Sequence, residues 1–101
     1  MRLSQEEIPS LGMAAFLKLP KNKGDLLIDV REVYEFDAGH LPMAKNLPIS
    51  IFADCLAEIP KNKQLYIVCE HGVRSLAVCR FLRDNGFEQV TNITEGMSAL
   101  R

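Results

Sequence analysis

Two short apolar runs constrain this chain more than any other feature: LLIDV at 26–30 and LYIVC at 65–69. Both are continuous rather than alternating, the pattern of strands covered on both faces and therefore of a parallel sheet. Each follows a cluster of Pro, Asn, Lys and Gly or Gln, LPKNKGD at 19–25 and IPKNKQ at 59–64, which reads as a loop. VTNI at 90–93 reads as a last strand. Helical periods lie around these runs. Leu11, Ala14, Ala15, Phe16 and Leu17 mark one near the start, and Ile51, Phe52, Cys55, Leu56 and Ile59 mark one in the middle. A third follows Cys69, with Leu76, Ala77, Cys79 or Val78, Phe81 and Leu82 on its buried side and Arg80, Arg83 and Asp84 exposed. It should stop at Gly86, where a left-handed terminating residue belongs. Strands alternating with helices imply right-handed crossovers and a doubly wound α/β sheet, in which ligand sites lie at the carboxyl ends of strands. Cys69 occupies such an end.

Composition narrows the partners. With 101 residues, 48% hydrophobic and 25% charged, the chain is expected to form one domain over 1–101 whose layered core needs neither disulfide nor metal. Twelve basic residues against thirteen acidic ones, and no basic run interleaved with aromatics, point away from nucleic acid and from an anionic membrane. The start, MRLSQEEIPS, lacks the apolar core of a signal peptide, and no apolar run approaches the ~18 residues of a membrane span. A cytoplasmic location is expected. Cysteines 55, 69 and 79 form an odd set without CxxC pairs, which argues against a disulfide framework and fits a reducing compartment. There is no internal repeat and no low-complexity tract.

Cys69 has two readings. Free cysteine is among the most buried residue types, so it can simply be a core residue at a strand end. The sequel, EHGVRS at 70–75, supports the other: Gly72 lets the backbone curl, Arg74 brings a charge, and Ser75 suits a helix cap. Consecutive backbone N–H groups at such a turn, backed by the positive end of a helix dipole, make a nest for an anion centred on the sulfur. A thiolate is itself such an anion, and it is the nucleophilic form.

Neighbouring residues carry alternatives of their own. Arg74 either steadies an incoming anionic donor, the reading favoured here, or is an exposed charge at a helix start. His71 either donates a hydrogen bond at the pocket mouth or is an exposed loop residue. Glu70 places a carboxylate beside the nucleophile, repelling a doubly charged anion and partly offsetting Arg74, so Glu70→Gln is expected to lower the apparent KM for such an anion. Asp29 and Arg31 are either a surface pair or a hydrogen-bonded lock between loops. His40 reads as a buried hydrogen-bonding histidine rather than a ligand. A zinc site from Cys69, His71 and Cys79 lacks paired ligand spacing, so no metal and no other cofactor is expected. Cys55 and Cys79 fall among apolar helix positions and read as core residues rather than resolving thiols.

These residues together resemble the rhodanese family of single-domain sulfurtransferases. LLIDVREVYEFDAGHLPMAKNLP at 26–48 resembles the family's DVR, GH and N-x-P segment, IFADCLAEIPKNKQLYIVC its helix, loop and central strand, and CEHGVRS its active-site loop. FLRDNGFEQVTNITEGM is similar to its closing helix and strand, so the match runs over roughly residues 4–98. The resemblance implies a five-stranded, mostly parallel sheet flanked by helices on both faces, with Cys69 cycling between thiolate and persulfide. Sulfane sulfur would pass from thiosulfate or a low-molecular-weight persulfide to Cys69, and then to a thiol acceptor or a partner protein. N–H groups of the loop, Glu70, His71, Gly72, Val73, Arg74 and Ser75, would stabilise the charged terminal sulfur. Asp29, Arg31 and His40 would support the loop. The C-x4-R spacing from Cys69 to Arg74 resembles the tight loop the family uses for sulfur; cysteine phosphatases use C-x5-R to wrap a whole phosphate. The alternative is a non-catalytic module that binds a partner or senses redox state through Cys69. Met43 and Glu95 stand where the family commonly has glycine, which is tolerable if their φ stays negative. The ending GMSALR stops where family members usually continue, so a short last helix is expected.

Overall fold

The run at 65–69 lacks alternation because it is paired on both edges and covered on both faces. The computed structural model of the chain describes residues 7–20, 22 and 24–101. Its strands are β1 Ser10–Leu11, β2 Leu26–Asp29, β3 Ala44–Asn46, β4 Leu65–Val68 and β5 Val90–Ile93, in the order β1-β5-β4-β2-β3. Every pairing is parallel, so the sheet is wholly parallel rather than mostly so. All of β4 is buried. Asp29 pairs with both Val68 and Asn46, and Ile67 with Asn92, so the carboxyl ends of β2, β4 and β5 open at one edge of the sheet.

Side chains leave successive strand positions on opposite faces. Ile28, Leu65, Ile67 and Val90 pack with Phe52, Cys55, Val78, Cys79 and Leu82. Leu27, Tyr66, Val68 and Ile93 pack with Met13, Phe16 and Met97. Helix α3 (Val73–Asp84) and a 3-10 segment, Ile49–Glu58, therefore cover one face, while α1 (Met13–Lys18) and a terminal 3-10 turn, Gly96–Leu100, cover the other. This is the α/β architecture with helices on both faces. Helix α2 (Val33–Asp37) buries none of its residues; a capping box holds it, with Glu32 and Glu35 each bonding the other's backbone N–H.

Several local expectations are corrected. Leu11 belongs to strand β1, and α1 begins two residues later with only Met13 and Phe16 buried; Ala14, Ala15 and Leu17 are exposed. A helix this short presents a single i, i+3 line to the sheet. The middle helix winds as 3-10, whose three-residue period aligns Ile49, Phe52 and Cys55 and turns Ile51 outward. On α3 both Val78 and Cys79 are buried, Ala77 is exposed, and Phe81 is partly exposed with its ring edge-on to Phe52. Gly86 has φ +90° just past the helix end, as its place in the sequence required. Every non-glycine residue described has negative φ, Met43 and Glu95 included. The last helix is short, five residues of 3-10 turn. Residues 1–6, on which the reading of the N-terminus rests, lie outside the described residues, as do Lys21 and Lys23 in the 19–25 loop. No described helix is long and apolar enough to cross a membrane.

Candidate active site

The loop after β4 is shaped by two close backbone approaches. Gly72 has φ +88°, and a Cβ there would run into the Thr94 carbonyl. Gly96 has φ +64°, and a Cβ there would run into the backbone of Cys69 and Glu70. The loop can therefore lie directly against the turn that follows β5. Its carbonyls are used on that outer side: Met97 N–H donates to Cys69 O at 2.8 Å and Ser98 N–H to Glu70 O at 2.9 Å. The Gly72 carbonyl accepts from Leu76 N–H at 3.3 Å and from Asn92 Nδ2 at 3.3 Å. With its carbonyls turned away, the loop directs N–H groups inward at the sulfur. Gly72 N–H lies 3.1 Å and Ser75 N–H 3.3 Å from Cys69 Sγ, both as donors. Ser75 Oγ, also 3.3 Å away, can accept from the thiol or donate to a thiolate. The sulfur also faces the first turn of α3, where backbone N–H groups lack intrahelical partners and the helix dipole is positive. Negative charge on this sulfur is stabilised by groups already in place.

Ser75 thus differs from its expected role. Gly72 holds the N-cap position, and no side chain among the described residues caps the helix. Ser75 lies buried within the first turn and points at Cys69. His71 is exposed. Cys69 itself is only 1% exposed, so the loop encloses its side chain.

Arg74 follows neither of its two readings simply. Its guanidinium makes a bidentate pair with Glu35, at 2.7 and 2.8 Å, tying the first turn of α3 to α2. The pair holds the Glu35 carboxyl at about 2, well below the ordinary range, and raises the Arg74 pKa further. Glu70 is likewise engaged. Arg101 Nε and Nη2 each donate to it at 2.9 Å, and Arg31 Nη1 approaches at 3.4 Å. The carboxylate that sequence reasoning set against Arg74 has two guanidinium partners of its own.

Asp29 and Arg31 form a lock rather than a surface pair: they are 0% and 1% exposed. Arg31 Nε and Nη2 grip the Asp29 carboxylate at 2.8–3.2 Å, and Nη2 also donates to Gly39 O at 2.9 Å. The hydrogen bonds with Asp29 hold the Arg31 pKa above its ordinary value against the cost of burial. Asn46 Nδ2 fastens the same corner, donating to Asp29 O and Arg31 O at 2.9 Å. His40 is exposed rather than buried, because α2 stands off the core; its Nδ1 bonds Phe36 O at 2.8 Å and its ring stacks on Phe36 at 3.6 Å. Cys55 and Cys79 are buried free thiols in the core, and burial pushes the Cys79 thiol up to about 12.

Sequence reasoning missed Glu35, Asn46 and Asn92. A polar residue inside the apolar strand VTNI was the available signal for Asn92, since buried polar groups are kept where they bond something specific. Glu35 and Asn46 act across the fold; Asn46 falls in the N-x-P segment of the resemblance, which by itself assigned it no role.

A parallel sheet carrying a cysteine loop at its carboxyl edge, with N–H groups turned onto the sulfur, defines a class, and comparison with known proteins names it. The model of the rhodanese-like domain family matches residues 13–101, and the chain belongs to that family. The fold is that of a rhodanese-like domain protein from Staphylococcus aureus, with a TM-score of 0.84 at 35% identity, covering 93% of this chain and 92% of that one. A protein named sulfurtransferase from Allochromatium vinosum is 33% identical over 82 residues, 81% of this chain and 77% of that one. YqhL of Bacillus subtilis, named an uncharacterized protein, is 40% identical over 70 residues, 69% of this chain but 56% of that protein. The chain spans about half the length of YqhL and of YrkF from the same organism.

Proposed function

We propose that this protein is a sulfurtransferase in which Cys69 carries sulfane sulfur as a persulfide. The single observation behind the reading is the pair of N–H groups, from Gly72 and Ser75, directed at Cys69 Sγ. They favour negative charge on Sγ in both halves of the cycle: as the thiolate that attacks the donor, and as the thiolate that leaves when the acceptor takes the terminal sulfur. In the first half, the Cys69 thiolate bonds to the outer sulfur of thiosulfate or a persulfide, and the donor's S–S bond breaks with its electron pair on the leaving group. In the second, an acceptor thiolate attacks the terminal sulfur and releases Cys69 as thiolate. Sulfur transfer is also the activity for which several relatives are named.

The buried Asp29–Arg31 lock and the Glu35–Arg74 pair hold the corners from which this loop is hung, a supporting role outside the bond-making steps. The C-x4-R spacing, one residue shorter than the C-x5-R loop of cysteine phosphatases, and two N–H groups directed at a single sulfur favour sulfur over a whole phosphate. The test is intact-mass analysis of the reduced protein after incubation with thiosulfate or a persulfide donor. A gain of one sulfur atom, removed by cyanide and absent from Cys69→Ser, is expected. Absence of the adduct with every donor tried would favour the binding or redox-sensing module instead.

A further inference from the structure

The charges around the mouth of the loop are matched before any substrate arrives. Three guanidiniums meet three carboxylates there: Arg74 with Glu35, Arg31 with Asp29 and Glu70, and Arg101 with Glu70. Beside the loop lies an open depression of about 410 Å3, lined by Arg31, Tyr34, Glu35, Ala38, Glu70 and Arg101. That volume falls within the roughly 300–1,000 Å3 typical of pockets for organic ligands and exceeds the needs of a small inorganic ion. Tyr34 of the lining, one residue before Glu35, is 76% exposed, and Val73 on the neighbouring first turn of α3, outside the lining and one residue before Arg74, is 75% exposed. The Glu35–Arg74 pair brings these two flanks together across the mouth.

We infer that the preferred sulfur donor is an organic persulfide with an uncharged, apolar body, rather than thiosulfate. This rests on the sulfurtransferase reading above. The N–H groups at Cys69 can meet the charge of one sulfur. A neutral persulfide adds no charge to that of the Cys69 thiolate, and its body is left for Tyr34 and Ala38. Thiosulfate brings further charge on its sulfonate end, which arrives where each guanidinium already faces a carboxylate, so its desolvation goes uncompensated. The same holds for the leaving group: sulfite departs as a dianion, an alkyl thiolate with one charge. In the transfer, the Cys69 thiolate forms a bond to the donor's outer sulfur. The donor S–S bond breaks, its electron pair leaves on the inner sulfur as a thiolate, and a proton on the outer sulfur stays with it. No external oxidant or reductant is required.

The test follows formation of the Cys69 persulfide by quenched intact-mass analysis of the full chain with three donors: thiosulfate, butyl persulfide, and an apolar cysteine peptide carried as its persulfide. At least one persulfide should react faster than thiosulfate by about tenfold or more, and the faster of the two identifies a free or a peptide-borne source. Tyr34→Ser, at an exposed position that the fold does not need, should lower the persulfide-to-thiosulfate rate ratio by about threefold or more. Glu35→Gln, which keeps the capping-box acceptor but removes the charge facing Arg74, should raise the thiosulfate rate several-fold. Thiosulfate reacting as fast as both persulfides, or a ratio unmoved by both substitutions, would overturn this inference and leave the sulfurtransferase reading intact. No adduct from any donor would overturn both.

Discussion

Cys69 and Cys79 stand ten residues apart, are both almost completely buried, and belong to the same apolar cluster, yet their sulfurs meet opposite surroundings. Around Cys69 Sγ are two backbone N–H groups and a hydroxyl. Cys79 lies inside α3 among apolar side chains, and burial outweighs the opposing influence of Arg83, so its thiol stays protonated up to about pH 12. Burial alone therefore says little about a cysteine's chemistry. What decides it is whether buried dipoles are aimed at the sulfur, and that depends on a backbone turned by two glycines.

The largest contrast is expected from replacing each thiol in turn. Cys69→Ser should reduce sulfur transfer to background, whereas Cys79→Ala should keep the persulfide adduct and lose about 1 kcal/mol of stability from the small cavity. Loss of the adduct in Cys79→Ala at unchanged fold, measured by intact mass and circular dichroism, would break the comparison. Iodoacetamide near pH 8 sharpens it further: Cys79 should be labelled only after denaturation.

Next in size is Gly72→Ala. A Cβ in this left-handed position meets the Thr94 carbonyl, a backbone atom that cannot swing aside. A loss of about 1–3 kcal/mol is expected, seen as a fall in Tm, together with at least a tenfold loss of transfer rate.

Asn92→Leu should separate activity from stability. Nδ2 holds the Gly72 carbonyl, so its loss should slow transfer by about tenfold through a looser nest. Asn92 Oδ1 is buried without a partner among the described residues, so an apolar residue of similar size also relieves a cost, and Tm should shift by less than the lost hydrogen bond alone implies. A large fall in Tm with an unchanged rate would instead assign Asn92 a purely structural role.

The smallest effect concerns pH. Glu35 titrates near 2 in the fold against an ordinary 4.5, so its pair with Arg74 contributes stability that is complete above about 4.5 and lost as pH falls through 2. The Tm difference between the wild type and Glu35→Gln should be constant at neutral pH and close toward pH 2. A difference that widens on acidification would contradict the pair as the source.

The central strands were legible in local sequence because β2 and β4 are apolar runs, and α3 was legible because it keeps its period and its terminating glycine. The short strands β1 and β3 were not, since two or three residues carry no period of their own and are made strands only by the edge they join. Cys69 and its loop were legible for a similar reason: cysteine, glycine, serine and helix start lie close together in the chain. By itself, then, the sequence determined a parallel α/β sheet with a cysteine-bearing turn at its carboxyl edge. Tertiary structure alone decided which charges remain available there. Glu35 is 39 residues from Arg74 and Arg101 is 31 from Glu70, and a carboxylate's effect on a site depends on the guanidinium that folding sets against it, at distances no local pattern encodes.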